Sequence, residues 1–576
     1  MPVSKSVFNA SGRLVLFCVL VGFIGAFAAL GFDAMVEFAQ RWLLTGIGRY
    51  GPPSTGATTL PQIPQGLARL WLPLATTLGG LLSGWIVYRW APEAEGHGTD
   101  AAIGAYHRRG GEIRGRIPLI KALASALTIG SGGVAGREGP TAQISVGLGT
   151  SLARWTGLRG QERRDLVLAG MAAGLAAMFR APLGMAIFSV EILYSGMVFE
   201  SEALIYTVIA AVTSYAVFGL FQGWDRLFLI PDNLTVESPW TLLAFAVLGL
   251  LAGLLGAILP TLLYRVRDLF ARLPGPPHIR PAIGGLFVGL LALAMPEVLG
   301  TGYGWVELAI LEKLPLATIL LLLVLKGPAM ALTIGSGGSG GVFAPTVTIG
   351  AMLGAAVGTI LNLAIPTLQE PVAAFVVVGM ASVFAAAART PISTLIMVAE
   401  MTGGYDLMVA AMLANIIAFL VQRSLTAQRR YPTLYISQVE TREDSPLHRG
   451  VFVRRAIELL DTGGVEPSDV RLPRLVNLLR WGGSIPVGKG ESSLLAVHIE
   501  AGSRLTELDL AESLGRIEGL TAVALLRDDN LLTPRGNTRF QAGDRLLTVA
   551  NRTAEEELRR LIRAPSGDRS AHRDSN

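Results

Sequence analysis

The sequence has few charged residues and almost no cysteine. Of its 576 residues, only 16% are Asp, Glu, Lys or Arg, whereas 51% are hydrophobic, and the mean hydropathy is +0.50. This composition predicts a polytopic membrane protein with some soluble part and excludes a soluble enzyme. The one cysteine, Cys18, lies in an apolar run, which excludes a disulfide framework and a cysteine metal site.

Histidine is scarce as well. The six histidines show no ligand spacing such as HExxH; they are His97, His107, His278, His448, His498 and His572. A membrane-embedded enzyme would need metal ligands or a nucleophile–base pair inside the spans, so we expect no enzyme, no metal and no cofactor. The net charge of +5 is modest and fits basic cytoplasmic loops better than nucleic-acid binding.

Apolar runs fill most of the first 423 residues. They predict membrane spans near residues 13–32, 68–90, 119–130, 141–155, 165–195, 203–222, 238–264, 280–296, 315–335, 342–365, 371–388 and 392–423. Several are too short or too rich in glycine for a simple crossing, and irregular backbone at membrane depth must be buried in protein or line a cavity. The first run is longer than the apolar core of a signal peptide and ends in no clear cleavage site, so we expect a retained helix.

Basic residues collect near the ends of several predicted spans. They lie at 108–121 and 154–164 and, at or after the end of the last span, at Arg423, Arg429 and Arg430. Because basic residues collect on the cytoplasmic side of membrane proteins, we expect these loops and the tail that follows them to be cytoplasmic.

An arginine and a glutamate stand together inside one apolar stretch. Residues 126–140 read ALTIGSGGVAGREGP, so glycines flank Arg137 and Glu138, and Pro140 follows. Ionisable groups at membrane depth are costly and usually face a cavity or a pathway. A helix that begins here would direct unpaired N–H groups and the positive end of its dipole towards an anion. The alternative is a glycine-rich loop in which the two charges form a structural salt bridge.

This glycine-rich segment occurs twice. Residues 331–345, ALTIGSGGSGGVFAP, repeat its opening 205 positions later and also end in a proline. A second pair of segments, 170–192 and 379–401, matches at an offset of 209 and pairs Arg180 with Arg389, Pro182 with Pro391 and Glu191 with Glu400. Internal repeats with glycine and proline at matching places are typical of transporters whose broken helices converge on an ion site.

These motifs resemble the CLC family of chloride channels and chloride/proton antiporters. The resemblance rests on GREGP at 136–140, GGVFAP at 340–345, the paired segments and PTLY at 432–435, and it covers roughly residues 10–436. It implies an all-α polytopic membrane protein with two inverted repeats of tilted and broken helices. It also implies a homodimer in membrane lipid, in which residues 1–436 of each subunit form a separate anion-conducting pathway.

The resemblance further implies which groups bind the anion. The main-chain N–H groups of Val342 and Phe343 would hold a central anion together with the hydroxyl of Tyr435, and the backbone around Arg137 to Gly139 would form an outer site. The full predicted set is His97, Gly98, Arg137, Glu138, Gly139, Val342, Phe343, Ala344 and Tyr435. Such modest donors hold a dehydrated anion weakly enough to release it, whereas rings of full charge would trap it.

Glu138 matches the family's gating glutamate. Its carboxylate would occupy the outer anion position when ionised and swing away when it is protonated or displaced. Burial favours the neutral form of a carboxyl group and nearby donors favour the charged form, which permits titration near neutral pH. The resemblance thus predicts conduction that depends on pH.

The sequence departs from the family at the expected central site. In the family's usual glycine-serine-glycine-isoleucine-proline motif, the serine hydroxyl contacts the anion. Here residues 96–100 read GHGTD, with His97 in the serine position and Asp100 in place of proline. A neutral imidazole can donate one N–H and an imidazolium two, so His97 is predicted to coordinate the anion and make conduction pH-dependent. The alternative is that His97 packs against the backbone and the anion loses one ligand.

A second departure concerns protons. Many family antiporters carry two adjacent glutamates, of which the second accepts protons from the inside. The corresponding pair here is Glu191–Ile192, and isoleucine cannot carry a proton. We therefore predict a passive anion channel, with Glu191 as the remaining proton-pathway candidate. A chloride/proton antiporter is the alternative, because some family exchangers lack that glutamate.

The composition changes after Tyr435. Residues 437–488 are predicted to be a linker with helices near 451–461 and 472–481, and residues 564–576 to be disordered. Between them, short alternating runs separated by turn residues predict strands and hairpins. With GDRLLTV at 543–549, this part resembles the TrkA-C (RCK C-terminal) domain. The resemblance implies a small α+β cytoplasmic domain over 489–563 that dimerises or binds a small effector such as cyclic di-AMP.

A TrkA-C-like tail also suggests a cation transporter. A cation filter would need rings of carboxylates or converging carbonyls, whereas these repeats resemble anion-binding helix starts. We therefore expect a CLC-type chloride channel in a bacterial inner membrane.

Overall fold

The computed structural model describes most of the first 446 residues and parts of the remainder. The described ranges are residues 5–231, 234, 239–365, 370–442, 444–446, 485–487, 492–499, 503–507, 509–515, 517–527, 530–532 and 534–563. The chain forms two compact units, Met1–Thr441 and Arg442–Asn576, here named the helical unit and the C-terminal unit. The helices predicted near 451–461 and 472–481 and the predicted disordered tail lie outside the described residues.

The helical unit consists of two halves. Within the described residues, the first half forms α1 (Lys5–Ala39), α2 (Trp71–Trp90), α3 (Thr99–Arg108), α4 (Ile117–Gly130), α5 (Glu138–Trp155), α6 (Gly160–Phe179), α7 (Pro182–Glu191) and α8 (Leu204–Gln222). The second half forms α9 (Pro239–Ala271), α10 (Arg280–Ala294), α11 (Tyr303–Ile310), α12 (Leu316–Gly335), α13 (Phe343–Ala364), α14 (Val372–Ala388), α15 (Pro391–Thr402) and α16 (Met408–Thr426).

Short 3-10 and π-helical segments lie between several of these helices. A π-helical segment, Gln40–Ile47, continues α1, and 3-10 turns occupy Gly66–Leu70, Pro92–Ala94, Ser201–Ala203, Pro277–Ile279, Pro296–Val298 and Tyr405–Leu407. In the described part of the chain, eight helical stretches are long and apolar enough to cross a membrane. Their lipid-facing positions carry exposed apolar side chains such as Leu220 and Leu363, whereas every residue of α14 is buried.

The second half repeats the first helix by helix, with α9 to α16 in the order of α1 to α8. Equivalent glycines of the repeat, Gly136 and Gly341, pair with each other, and the N–H of each donates to the carbonyl of the other at 2.7 Å. A reciprocal antiparallel pair between equivalent residues requires a local two-fold axis between them. The two equivalent segments therefore run in opposite directions where they meet, which is consistent with the inverted halves that the sequence resemblance implied.

Two runs predicted as single spans are in fact broken. The run 165–195 contains α6 and α7, which separate at Arg180 with a left-handed φ of 55°, and the run 392–423 contains α15 and α16, which separate at Gly403 with φ of 75°. A continuous apolar run conceals such breaks, because hydropathy records burial and not backbone direction. The first predicted span, 13–32, is also too short, since α1 ends at Ala39.

The C-terminal unit contains the predicted strands. They are β1 (Ile485–Val487), β2 (Ser492–His498), β3 (Leu520–Arg527), β4 (Asn530–Leu532) and β5 (Arg545–Asn551), accompanied by α17 (Leu510–Ser513), α18 (Arg552–Arg563) and a 3-10 turn at Arg504–Glu507. The sheet is antiparallel in the order β1-β2-β5-β3-β4. Its buried face packs Leu495, Leu525 and Leu546 against Leu558 of α18. The strands expected from the alternating pattern, β2 to β5, are thus confirmed, whereas β1 lies in the range 437–488 that was predicted as a linker with helices, and α18 is an addition.

Candidate functional site

The N-termini of α5 and α13 meet at the Gly136–Gly341 pair. The first N–H groups of a helix have no acceptor within it, so two sets of amide donors and two positive dipole ends converge here. Glycine makes the approach close, because a methyl group on Gly139 would overlap the carbonyl of His97 and one on Gly341 would lie 2.9 Å from the amide nitrogen of Gly139. Two helix starts that meet in this way create a locally positive environment, which is the kind that suits an anion.

A small cavity lies beside these helix starts. Its volume is about 10 Å³, which is about the space that one water molecule needs. The lining consists of Thr99, Glu138, Gly139, Leu175, Phe179, Met185, Phe188, Val342, Phe343, Met397 and Tyr435. Apolar side chains thus form most of the wall, and the polar groups are two hydroxyls, one carboxyl and the backbone of the two helix starts.

Glu138, the first residue of α5, is buried at one end of the cavity. Its Oε1 accepts a hydrogen bond from the hydroxyl of Tyr303, and its Oε2 lies beside the backbone of Gly136 and Ala344, where a methyl group on Gly136 would overlap it. The carboxyl group therefore lies against both helix starts, in a place where a small anion would meet the same donors.

Phe343 is the repeat equivalent of Glu138 and begins α13. Its ring packs edge-on against Phe179 and Phe384, with both centroid distances at 4.4 Å. Aromatic rings in this arrangement are held by their own packing as well as by burial. The second helix start thus presents a fixed apolar wall where the first presents a carboxyl group.

The opposite end of the cavity is formed by Thr99 and Tyr435. The Thr99 side chain lies near the hydroxyl of Tyr435, and both residues are buried. Asp100, which replaces the family's proline, accepts hydrogen bonds from the Ser437 backbone amide at 2.7 Å and from its hydroxyl at 2.8 Å. These bonds attach the segment that carries Tyr435 to the start of α3.

His97 is buried next to this end but does not line the cavity. Its Nε2 lies 3.2 Å from the hydroxyl of Tyr264, and that hydroxyl donates to the carbonyl of Leu434 at 2.6 Å. Because the only hydroxyl hydrogen of Tyr264 is used on Leu434, Nε2 of His97 must be the donor to Tyr264. Among the described residues, Nδ1 of His97 has no hydrogen-bond partner.

Two vestibules lie on either side of the cavity. The first, of about 440 Å³, is named the Arg137 vestibule, and it reaches the outer side of the Tyr303–Glu138 pair. Arg137 itself forms an ion pair with Asp33 at its wall. The second, of about 360 Å³, is named the His97 vestibule and is also lined by Tyr264, Arg109 and Arg267. Vestibule, cavity and vestibule thus follow one another, with Glu138 at one junction and Thr99 near the other.

Two buried lysines support the loops at these junctions. Nζ of Lys121 donates to the carbonyls of Ala94 at 3.0 Å and Gly96 at 2.6 Å, in the loop before α3. Nζ of Lys326, which lies 205 positions later, donates to Val298 at 2.8 Å and Gly300 at 2.9 Å, in the loop before α11. A repeated lysine therefore holds each loop in the same way.

Two glutamates form another symmetric pair. Glu191, at the end of α7, accepts from the backbone N–H groups of Ile392 and Ser393 and from the Ser393 hydroxyl, at the start of α15. Its repeat equivalent, Glu400 of α15, accepts from Leu183 and Gly184 at the start of α7. Each carboxylate thus caps the helix that carries the other. Ile192, next to Glu191, is fully buried.

The structure brings most of the predicted site residues together. Glu138, Gly139, Val342, Phe343 and Tyr435 line the cavity. Gly98 and Ala344 lie directly behind it, because a methyl group on Gly98 would overlap the Gly139 carbonyl and Ala344 adjoins Glu138. The side chains of Arg137 and His97 line the vestibules, and Glu191 is not among the residues that line the cavity.

Sequence reasoning missed Thr99, Tyr303 and the two lysines. A signal was present, because PExxGxG occurs at both 92–98 and 296–302 and makes Tyr303 the equivalent of Thr99. The glycines that end each motif, Gly98 and Gly302, adopt φ of 72° and 97°, which favours glycine. The loops before α3 and α11 are thus a third pair of repeated segments.

Comparison with known proteins agrees with this architecture. Residues 79–423 match the family model of the voltage-gated chloride channel, and residues 496–563 match that of the TrkA-C domain. The chain is 32% identical over 437 residues to a putative chloride channel protein ClcB-like of Ralstonia nicotianae, covering 74% of this chain and 97% of the relative. It is 32% identical to the voltage-gated ClC-type chloride channel ClcB of Escherichia coli O81, covering 72% and 96%.

Other relatives carry a different description. The H(+)/Cl(-) exchange transporter ClcA of Salmonella arizonae is 29% identical, with 73% of this chain and 88% of the relative covered. A slow cyanobacterial Cl-/H+ antiporter superposes with a TM-score of 0.63 at 24% identity, covering 72% of this chain and 95% of that one. A CLC-type fluoride/proton antiporter superposes with a TM-score of 0.63 at 22% identity, covering 76% and 100%. The chain is therefore a membrane protein of the CLC family of anion channels and transporters, with a TrkA-C domain after its helical unit.

Proposed function

We propose that this protein is a passive chloride channel of the CLC type, gated by Glu138. The observation that carries the proposal is the position of the Glu138 carboxyl group, which lies against two helix starts at the junction between the cavity and the Arg137 vestibule. In this proposal, an anion that passes from one vestibule to the other takes the position of this carboxyl group, beside the backbone of Gly136 and Ala344. Competition between carboxylate and anion for the same donors is the physical basis of the gate.

The gate would open when Glu138 is protonated. A neutral carboxyl group loses its attraction for the positive ends of α5 and α13 and can leave the helix starts to an anion. The anion then lies among backbone N–H groups and the hydroxyls of Thr99 and Tyr435, in a cavity of about 10 Å³ with mostly apolar walls. These neutral donors bind a dehydrated anion without a fixed countercharge in the wall, so the anion can leave again.

Passive conduction is supported by the residues at the expected proton pathway. The position of the family's internal proton-transfer glutamate is Ile192, which has no titratable group. Glu191, the neighbouring carboxylate, uses both oxygens to cap α15. The ionised carboxylate of Glu191 stabilises the start of α15, and protonation of this group would weaken the cap.

A chloride/proton antiporter is the second candidate, because some relatives at about 30% identity are named exchangers. The two functions differ in whether chloride drives protons. The test is chloride efflux from liposomes that contain the purified protein, with internal pH recorded simultaneously. The proposal expects chloride efflux with no uphill proton movement, and protons moved uphill at a fixed ratio to chloride would overturn it.

His97 would act on the anion only in its charged form. The neutral ring uses its one N–H on Tyr264, so Nδ1 can donate to an anion only after a second proton binds. The charged groups facing it are Asp100, Lys121 and Arg267. We expect His97→Ser to change the halide permeability sequence most strongly at acidic pH, with Tyr264→Phe as the control that releases the N–H but keeps the imidazole. An unaltered sequence at every pH would remove His97 from the anion pathway.

We also propose how the protein is oriented in the membrane and what its domains do. Arg109 and Arg267 line the His97 vestibule, and the basic loops at 108–116 and 154–164 contact each other through Arg163–Glu112 and Arg154–Ile113. Basic residues favour the cytoplasmic side, so this vestibule would face the cytoplasm of a bacterial inner membrane. Residues 437–488 would link residues 1–436 to a cytoplasmic regulatory domain at 489–563, in a homodimer surrounded by lipid.

The TrkA-C match favours a small effector at the C-terminal unit, with a nucleotide such as cyclic di-AMP as the first compound to test. Chloride efflux measured with and without this nucleotide, in the full chain and in a chain ending at Thr441, tests the proposal. A response in the full chain alone supports it, and no binding of the nucleotide to the full chain would exclude this effector.

A further inference from the structure

Tyr303 is the group that touches the carboxyl group of Glu138 from the side of the Arg137 vestibule. Its hydroxyl donates to Oε1 of Glu138, across 165 positions of sequence. Its ring packs edge-on against Phe228, with the centroids 5.4 Å apart and the planes at 89°. The phenol therefore has a fixed direction, and it lies between the carboxyl group and the vestibule.

The loop that leads into Tyr303, the first residue of α11, is held on several sides. Lys326 binds the carbonyls of Val298 and Gly300, and the Gly300 N–H donates to the carbonyl of Gly132 at 3.0 Å. Gly302 has φ of 97°, and a methyl group on it would overlap the side chain of Thr348. The loop is thus attached both to the second half and to the glycine-rich segment that leads into Glu138, so the phenol and the carboxyl group have a common support.

The equivalent position in the first half serves the other end of the cavity. Thr99 follows Gly98 as Tyr303 follows Gly302, and the Thr99 side chain lines the cavity together with Tyr435. A hydroxyl therefore stands at the same place of the same loop at both ends of the cavity. Only at the Glu138 end does this hydroxyl meet a titratable group that blocks the cavity.

We propose that Tyr303 is a positioning residue that holds Glu138 in its blocking position and thereby sets the pH at which the pathway opens. The proposal rests on the gating role of Glu138 proposed above. A phenol that donates to a carboxylate favours the charged form, and hydrogen bonds to charged acceptors are the strong ones. When the carboxyl group is protonated, this preference is lost, and the side chain can leave while Tyr303 stays on its loop.

Other charged and titratable groups lie around this pair. Arg137, whose guanidinium is paired with Asp33, and the titratable phenol of Tyr435 act on the pair. Glu37, Arg41 and Arg180 also line the vestibule that Tyr303 faces. Arg137 acts on both members of the pair, since it lies next to Glu138 in sequence. Substitution of Tyr303 leaves the Arg137–Asp33 ion pair in place, so its effect on the gate can be measured separately from that of Arg137.

The test is a cycle of Tyr303→Phe, Glu138→Gln and the double variant, in the full chain reconstituted in liposomes. Chloride efflux is recorded from about pH 4.5 to about pH 8, a range that includes shifted carboxyl titrations. Tyr303→Phe should raise efflux at neutral pH about tenfold and move the midpoint of the pH curve about one unit towards alkaline pH. In the Glu138→Gln background, the same substitution should change efflux less than about twofold, because the bond to a carboxylate no longer exists.

Tyr194→Phe is the matched control. The hydroxyl of Tyr194 donates to the buried carboxylate of Glu200 at 2.7 Å, and neither residue lines the cavity or the two vestibules. It removes a bond of the same kind elsewhere in the helical unit, so the pH midpoint should stay at the wild-type value. A midpoint moved equally by both tyrosine substitutions would show a general effect on stability and would overturn the proposal.

Two further outcomes separate this inference from the proposed gate. If Tyr303→Phe changes chloride efflux by the same factor in the wild type and in the Glu138→Gln background, the phenol acts on the anion in the vestibule. The positioning role is then wrong. If Glu138→Gln leaves the wild-type pH dependence intact, the gate itself is wrong, whatever Tyr303 does. A midpoint unchanged in Tyr303→Phe, with Glu138→Gln abolishing the pH dependence, would contradict only the role of Tyr303.

Discussion

The two halves of the helical unit have the same backbone at the cavity and different side chains on it. The first helix start reads Gly136, Arg137, Glu138 and Gly139, and the second reads Gly341, Val342, Phe343 and Ala344 at the same four positions. The glycines at their head pair reciprocally at 2.7 Å, so the backbone obeys the two-fold relation. The side chains do not, since one start carries a titratable carboxyl group and the other an aromatic ring packed between two others.

This difference separates binding from gating. Amide N–H groups and helix dipoles come with the backbone, so the repeat supplies anion donors twice. The carboxyl group that competes for those donors in the proposed function comes with one side chain and is supplied once. If the proposed function is right, a symmetric scaffold holds an anion from both sides and yet responds to protons at one end only.

The largest expected effect comes from a change that leaves both helix starts without a titratable side chain at this position. Glu138→Gln removes the titratable group, and we expect chloride efflux to vary less than about twofold over a pH range in which the wild type varies more than about tenfold. Phe343→Leu, at the equivalent position, should change the rate but keep the pH dependence. Efflux from liposomes measures both, and pH dependence lost in Phe343→Leu would contradict the one-sided gate.

The buried lysines Lys121 and Lys326 allow the two halves to be compared by the effect of each lysine on stability. Lys326→Met leaves the buried carbonyls of Val298 and Gly300 without the lysine donor, so we expect it to lower stability by about 2 kcal/mol. We expect a smaller loss from Lys121→Met, because the carbonyls of Ala94 and Gly96 still accept from the Ser339 hydroxyl and the Gly340 amide. Their effects on transport should differ, because Lys326 supports the loop of Tyr303 and Lys121 the loop of His97 and Thr99. Thermal unfolding in detergent and the pH curve of efflux give the two readouts. A pH midpoint shifted by Lys121→Met alone would reverse the assignment.

The glutamate caps should behave alike if both are structural. Glu191→Gln and Glu400→Gln keep an acceptor oxygen but lose the charge at the start of the opposite helix, so we expect a loss of about 1 kcal/mol in each. Efflux should change by a similar small factor in both variants. A proton flux abolished by Glu191→Gln and preserved in Glu400→Gln would restore Glu191 as a proton carrier.

The C-terminal unit takes no part in the comparison of the two halves and therefore provides a control. Burial opposes ionisation of Asp544, but hydrogen bonds from Arg527 at 2.9 and 2.8 Å and from the Gln541 amide outweigh it and hold the pKa of this carboxyl below its ordinary value. Its stabilisation is therefore present at neutral pH and is lost as the pH falls through the lowered pKa. Hydrogen exchange of β3 and β5 in the full chain should show this loss below about pH 4.

Asp544→Asn tests the same ion pair directly. It leaves the partly buried guanidinium of Arg527 without its carboxylate, so we expect the C-terminal unit to lose about 3 kcal/mol at neutral pH. The acid-induced loss of protection should shrink in the variant, and the pH midpoint of efflux should not move. Protection of β3 and β5 unchanged from the wild type at neutral pH would contradict the role of the pair.

Much of the site could be predicted from sequence because it is made of backbone. GREGP and GGVFAP place two helix starts, and the repeat predicts that they converge, as the Gly136–Gly341 pair confirms. The partners of single side chains could not be predicted in this way. The contacts between Tyr303 and Glu138 and between His97 and Tyr264 join residues 165 and 167 positions apart, and no local pattern records them. The PExxGxG repeat did record where the hydroxyls of Thr99 and Tyr303 stand.

The breaks inside the apolar runs were also hidden. Arg180 and Gly403 each end a helix in the left-handed conformation inside a run that was predicted as a single span. The break at Arg389, by contrast, falls between the predicted spans 371–388 and 392–423. Apolar residues on both sides of each turn made the run look continuous, although Arg180 and Gly403 stand at the breaks. Backbone direction within a buried run depends on tertiary packing, which composition does not contain.

The most direct test of the account is the location of bromide, an anion visible by anomalous scattering, in crystals of the wild type and of Glu138→Gln. We expect bromide in the cavity at the backbone N–H groups of Val342 and Phe343 in both proteins. We expect a second bromide at the place of the Glu138 carboxyl group only in the variant. The same single site in both proteins would show that the carboxyl group does not compete with the anion, and bromide absent from both helix starts would contradict the duplicated anion site itself.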